Sequence, residues 1–87
     1  MPLVYKVFLE KRAEREIKKL PGEIFYRIIP KLKTLSENPK PPGCRKITGA
    51  KSDWRIRIGD YRIIYEIDEQ EKAVKVMRIR HRRDVYR

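Results

Sequence analysis

Residues 54–65 read Trp54-Arg55-Ile56-Arg57-Ile58-Gly59-Asp60-Tyr61-Arg62-Ile63-Ile64-Tyr65, and this stretch decides the fold. Apolar and basic side chains alternate up to Ile58, the period of a strand with one face on a core and the other open. Gly59-Asp60 breaks the alternation for two residues, and a glycine in the first of them suits a type II′ hairpin. A β-branched and aromatic run then returns from Tyr61 to Ile67. A two-residue turn sets the register: Ile58 faces Tyr61, Arg57 faces Arg62 and Ile56 faces Ile63. Trp54, Ile56, Ile58, Tyr61 and Ile63 then share a covered side, while Arg55, Arg57 and Arg62 share an open one.

Outward from the hairpin, residues 68–72 form a polar loop and Ala73 to about Arg80 form a last strand. Pairing Ile67 with Ala73 places Arg78 opposite Arg62 and brings Met77 and Ile79 into the core. Arg57, Arg62 and Arg78 are then expected to form a row across three strands, with Arg55 and Arg80 nearby. Upstream, residues 3–8 read as a strand and 10–19 as a helix with Ala13, Ile17 and Leu20 on one stripe. Leu20-Pro21-Gly22 stops that helix, and a second follows at about 23–37 with Ile24 or Phe25, Ile28, Leu32 and Leu35 inward. Pro30 removes one hydrogen bond from it and is expected to kink or weaken it. The proline-rich turn at 38–43 ends the helical half and is too short for a domain linker. The expected class is α+β: an N-terminal strand, a helical hairpin and a three-stranded antiparallel meander, with the helices packed on one sheet face. Residues 1–87 read as one domain without repeats.

Composition narrows the function. The 87 residues carry 23 Lys plus Arg against 12 Asp plus Glu, a formal net charge of +11. Residues 1–39 contribute +4 and residues 40–87 contribute +7, and the later excess is mostly arginine, the side chain suited to planar contact with phosphate. Such a balance attracts a polyanion, nucleic acid foremost; the plainer reading is a solvated, charge-rich surface. Neither helix pairs a basic face with an aromatic one, which argues against an anionic membrane. One cysteine, Cys44, and one histidine, His81, form neither an intramolecular disulfide nor a soft-ligand metal site, and no cofactor is expected. The lack of a long apolar run points to a cytoplasmic protein.

Arginines placed directly across a sheet repel by a fraction of the roughly 0.2–1 kcal/mol typical of cross-strand pairs, so stability alone favours alternating signs. The cluster therefore reads as an anion site, against the alternative of arginines that merely solvate an exposed face. The run His81-Arg82-Arg83-Asp84-Val85-Tyr86-Arg87 adds an imidazole and a phenol. Neighbouring cations favour a phenolate, which suits Tyr86 to proton transfer from a 2′-hydroxyl; the alternative is a tyrosine packed on the sheet end. His81 falls in the core-side series, where a structural role competes with a catalytic one.

Three segments together resemble the RelE/ParE superfamily of type II toxin–antitoxin toxins. They are the Leu20-Pro21 helix break, Lys46-Ile47-Thr48-Gly49 with the 54–65 hairpin, and His81 to Tyr86. The resemblance favours the RelE branch. It implies a ribosome-dependent mRNA endoribonuclease that cuts in the A site, with the 2′-hydroxyl attacking the adjacent phosphodiester. Arg55 and Arg57 match a basic pair on the first meander strand, where lysines are common in the family. Arg62 matches an arginine at the scissile phosphate, and Tyr86 a tyrosine that orients or deprotonates the nucleophile. The family's other C-terminal arginine, a candidate acid for the leaving oxygen, matches Arg82, with Arg80 as the alternative; His81 and Arg83 are neighbours able to take the role. The expected catalytic set is therefore Arg62, Arg82 and Tyr86, and the expected RNA contacts are Lys46, Arg55, Arg57, Arg78, Arg80, His81 and Arg83. Implied partners are the ribosome with its mRNA and a cognate acidic antitoxin, in a hetero-oligomer. A ParE-like, non-catalytic toxin that binds DNA gyrase is the second reading, and a general nucleic-acid-binding module the third.

Overall fold

Five strands form one mixed sheet in the order β1-β5-β4-β3-β2, described for residues 4–49 and 52–85 by a computed structural model. The chain runs β1 (Lys6–Leu9), α1 (Lys11–Lys18), α2 (Gly22–Glu37), β2 (Arg45–Lys46), β3 (Asp53–Ile58), β4 (Tyr61–Asp68), β5 (Ala73–His81) and α3 (Arg82–Val85). The expected strand, helical hairpin and three-stranded meander are all present. The two-residue β2 and the single-turn α3 are additions, both too short to show a period in sequence.

One face of the sheet is covered. Ala13 and Ile17 of α1 and Ile28, Leu32 and Leu35 of α2 are buried against Ile56, Ile58, Ile63, Tyr65, Ile67, Val74, Val76 and Ile79. The spacing of the helical members is the stripe read above, and the strand members alternate as a half-buried pleat requires. Each fully buried aliphatic side chain contributes on the order of 1.5–3 kcal/mol. Pro30 lies within an unbroken α2 on its exposed side, so its ring meets solvent rather than the core. Tyr65 is fully buried, and its hydroxyl donates to the Pro39 carbonyl oxygen at 2.7 Å, tying β4 to the segment that follows α2. Burial, with the nearby Cys44 thiol, holds the Tyr65 phenol above its ordinary pKa.

The hairpin register is as expected: Arg57 pairs with Arg62, Ile58 with Tyr61 and Ile56 with Ile63. Gly59 has φ 58° and Asp60 keeps a negative φ, the combination a type II′ turn needs. The β4–β5 register differs. Asp68, not Ile67, pairs with Ala73, because the loop closes one residue tighter: Glu71 N–H donates to Asp68 Oδ1 at 3.0 Å and Lys72 turns left-handed at φ 51°. A bulge follows between Tyr65–Val76 and Ile64–Arg78, leaving Met77 without a partner on β4. The two shifts add, so Arg62 faces Arg80, while Arg78 faces Ile64. The expected Arg62–Arg78 pairing is thereby corrected. Ile79 enters the core as expected, but Met77 stays only half-buried.

Candidate nucleic-acid interface

Arg55 and Arg57 alternate with buried Ile56 and Ile58 on β3, and Arg62 precedes buried Ile63 on β4, so all three project from the open face. There they line a cavity of about 310 Å³ together with Gly43 and Arg45. Four of its five lining residues are arginines and none is acidic. Arg45 was not expected. It joins the site because β2 pairs Arg45 with Arg55, and cross-strand partners project from the same face. A two-residue strand beside a proline-rich turn carries no alternation from which that face is readable.

The same pairing sets Lys46 apart from Arg45. It lies opposite Trp54, on the other face from Arg45, and lines a separate cavity with Lys40, Ser52, Trp54, Ile67 and Glu69. Arg78 also leaves the row. Its Nη2 donates to Glu16 Oε2 at 2.8 Å and its Nε to the same oxygen at 3.1 Å, which raises the guanidinium pKa further. Arg80 takes its place opposite Arg62. Arg80 Nη2 donates to the Asp84 carbonyl oxygen at 2.8 Å, while its buried Nε has no partner among the described residues. Leaving a buried N–H unpaired costs roughly 1–3 kcal/mol.

The C-terminal turn is anchored beside the hairpin. Arg82 N–H donates to the Asp60 carbonyl oxygen at 2.6 Å, and Arg82 Nη1 lies 3.7 Å from Asp60 Oδ1. His81 stands edge-on to Tyr61 with ring centroids 5.0 Å apart, and its Nδ1 accepts the Arg83 backbone N–H at 3.2 Å. His81 thus has structural partners on two sides. Arg82 and Arg83 are exposed on α3. Tyr86 lies outside the described residues.

A sheet with one face sealed by helices and the other presenting a cluster of arginines defines a small, basic α+β protein. The chain belongs to the family described as the ParE toxin of type II toxin–antitoxin systems, whose profile matches residues 7–86. It is 33% identical over 87 residues to Toxin RelG of Mycobacterium tuberculosis, covering 95% of this chain and 97% of that protein. Its fold is similar to the archaeal RelE–RelB complex from Pyrococcus horikoshii OT3, at TM-score 0.81 and 26% identity over 91% of this chain and 96% of that one. The toxin–antitoxin complex RelBE2 from M. tuberculosis gives TM-score 0.82 and 26% identity over 94% and 95% of the two chains. The chain is therefore a RelE-like toxin of a type II toxin–antitoxin system, within the RelE/ParE superfamily. No helix among the described residues is long and apolar enough to cross a membrane.

Proposed function

We propose that this toxin is a ribosome-dependent mRNA endoribonuclease acting in the A site. The observation that carries the reading is the cavity lined by Arg45, Arg55, Arg57 and Arg62 without a carboxylate, a receptacle for a phosphodiester. In the reaction the 2′-hydroxyl oxygen attacks the adjacent phosphorus and the bond from phosphorus to the 5′-oxygen breaks. A 2′,3′-cyclic phosphate and a free 5′-hydroxyl result. One proton leaves the 2′-oxygen and one is delivered to the departing 5′-oxygen.

Fixed guanidinium groups stabilise the charge that builds on the phosphoryl oxygens. Arg62, near the start of β4 and paired across the sheet with Arg57 on one side and Arg80 on the other, is assigned to the scissile phosphate. By the family resemblance Tyr86 serves the 2′-hydroxyl. For the leaving oxygen the register favours Arg80, which faces Arg62, over Arg82, which is drawn toward Asp60. Arg82, Arg83 and His81 are assigned to flanking RNA, and Lys46, on the opposite face, to a separate segment. Arginine stays protonated and makes a weak base. The ribosome is therefore required to hold the strand in reactive geometry, which places the reaction in the cytoplasm.

The P. horikoshii and M. tuberculosis relatives are known in complexes with their antitoxins. By extension a cognate acidic antitoxin covers this basic surface in a hetero-oligomer, and residues 1–87 act as one toxin domain. The second reading, gyrase inhibition without catalysis, draws on the ParE description of the family profile. Primer extension on ribosome-bound mRNA with the purified protein separates the two. A-site cuts that vanish on free mRNA are expected. Toxicity that survives Arg62→Ala together with blocked gyrase supercoiling would favour the second reading instead.

A further inference from the structure

The Gly59-Asp60 turn is contacted by arginines from three elements. Arg57 of β3 donates Nε–H to the Gly59 carbonyl oxygen at 3.1 Å. Arg82 holds Asp60 through its backbone N–H and its guanidinium. From α2, Arg27 lays its guanidinium against Gly59. A Cβ built there would lie 3.1 Å from Arg27 Nη1 and 3.7 Å from Cζ and Nη2. Glycine at 59 therefore serves the positive φ and also leaves the space that Arg27 occupies.

Arg27 differs from the other two. It is exposed and makes no hydrogen bond or ion pair among the described residues. Its backbone is nonetheless held firmly, because the next residue, Ile28, is fully buried in the core. A third cation has thus been added to the turn that joins Arg57 to Arg62, whose own carboxylate, Asp60, already lies beside Arg82. The donors of a guanidinium so placed suit a phosphate bidentately.

We infer that Arg27 is a further RNA-contacting residue, holding the backbone phosphate next to the one seated in the arginine cavity as the strand rounds the hairpin tip toward α2. This deepens the proposed function and rests on its RNA-directed reading. Single-stranded RNA is preferred to an acidic polypeptide because Arg27 and the cavity's Arg57 share Gly59 as a contact, so one continuous chain of phosphates can meet both.

The test compares wild type with Arg27→Ala and Arg27→Gln by competition binding of two RNAs, a dinucleoside monophosphate and a pentanucleotide made non-cleavable by 2′-deoxy substitution at the cut. Equal affinities are expected on the dinucleotide, which has one phosphate. On the pentanucleotide both variants should bind several-fold more weakly, and their log–log salt dependence should be shallower by about 0.7, the value for one phosphate contact on a single strand. Arg27→Lys should restore the slope. Variants equal to wild type on both RNAs, or weakened equally on both, would overturn the assignment. A loss seen only with poly-L-glutamate would give Arg27 to a protein-binding surface. Length dependence without ribosomal cutting would retain Arg27 and sink the proposed function, whereas cutting without length dependence would do the reverse.

Discussion

Glu16 of α1 closes the open edge of β5 by gripping Arg78. Its Oε2 takes the guanidinium at 2.8 Å while its Oε1 accepts the Ile79 backbone N–H at 2.8 Å. The parallel β1 pairs with β5 only from Ala73 to Val76, so beyond Val76 the side chain of Glu16 does for the backbone what another strand would do. The same contact removes Arg78 from the arginine row.

Glu16→Ala should therefore destabilise the fold by about 2 kcal/mol, since it orphans the Ile79 N–H and a half-buried guanidinium together. Glu16→Gln, which keeps an acceptor for Ile79, should cost less. Urea unfolding of the two variants checks the order. An unchanged midpoint in Glu16→Ala would show that the edge has another partner.

The arginine row should carry the activity. Arg62→Ala should slow single-turnover cleavage of ribosome-bound mRNA by about 10²–10³-fold, the loss typical of one preorganised charge-stabilising donor. Arg80→Ala should slow cleavage more than Arg82→Ala. The reverse order would return the acid role to Arg82.

At the turn, Gly59→Ala should cost about 1–2 kcal/mol from the positive φ alone, and it must also displace Arg27. Thermal unfolding reads the first effect. Adding Arg27→Ala should recover part of the loss, and strict additivity of the two changes would show that Arg27 and Gly59 do not touch.

The Tyr65 phenol, held above its ordinary pKa by burial, stays protonated in the folded chain when the unfolded chain begins to ionise near pH 10. The raised folded value means that this stabilisation is complete below about pH 10 and is lost as pH rises through the folded pKa. Tyr65→Phe should remove this share of the alkaline slope while costing about 1–3 kcal/mol at neutral pH, where the buried Pro39 carbonyl loses its donor. Urea midpoints at pH 7 and pH 11 for both proteins check the prediction, and identical pH slopes would refute it.

Sequence by itself determined the helical stripes, the hairpin, the side of the sheet that Arg55, Arg57 and Arg62 occupy, and the family. These depend on local matters: residue period, the glycine in a two-residue turn, and quotable motifs. Tertiary structure alone decided that Arg80 rather than Arg78 faces Arg62, that Arg45 enters the cavity while Lys46 leaves it, and that Arg27 reaches the turn. The physical reason is the same in each case. Strand register across a longer loop depends on a bulge and a left-handed residue that no pattern announces. The direction of a two-residue strand comes from its partner, and a contact between α2 and the β3–β4 turn exists only once the core has brought them together.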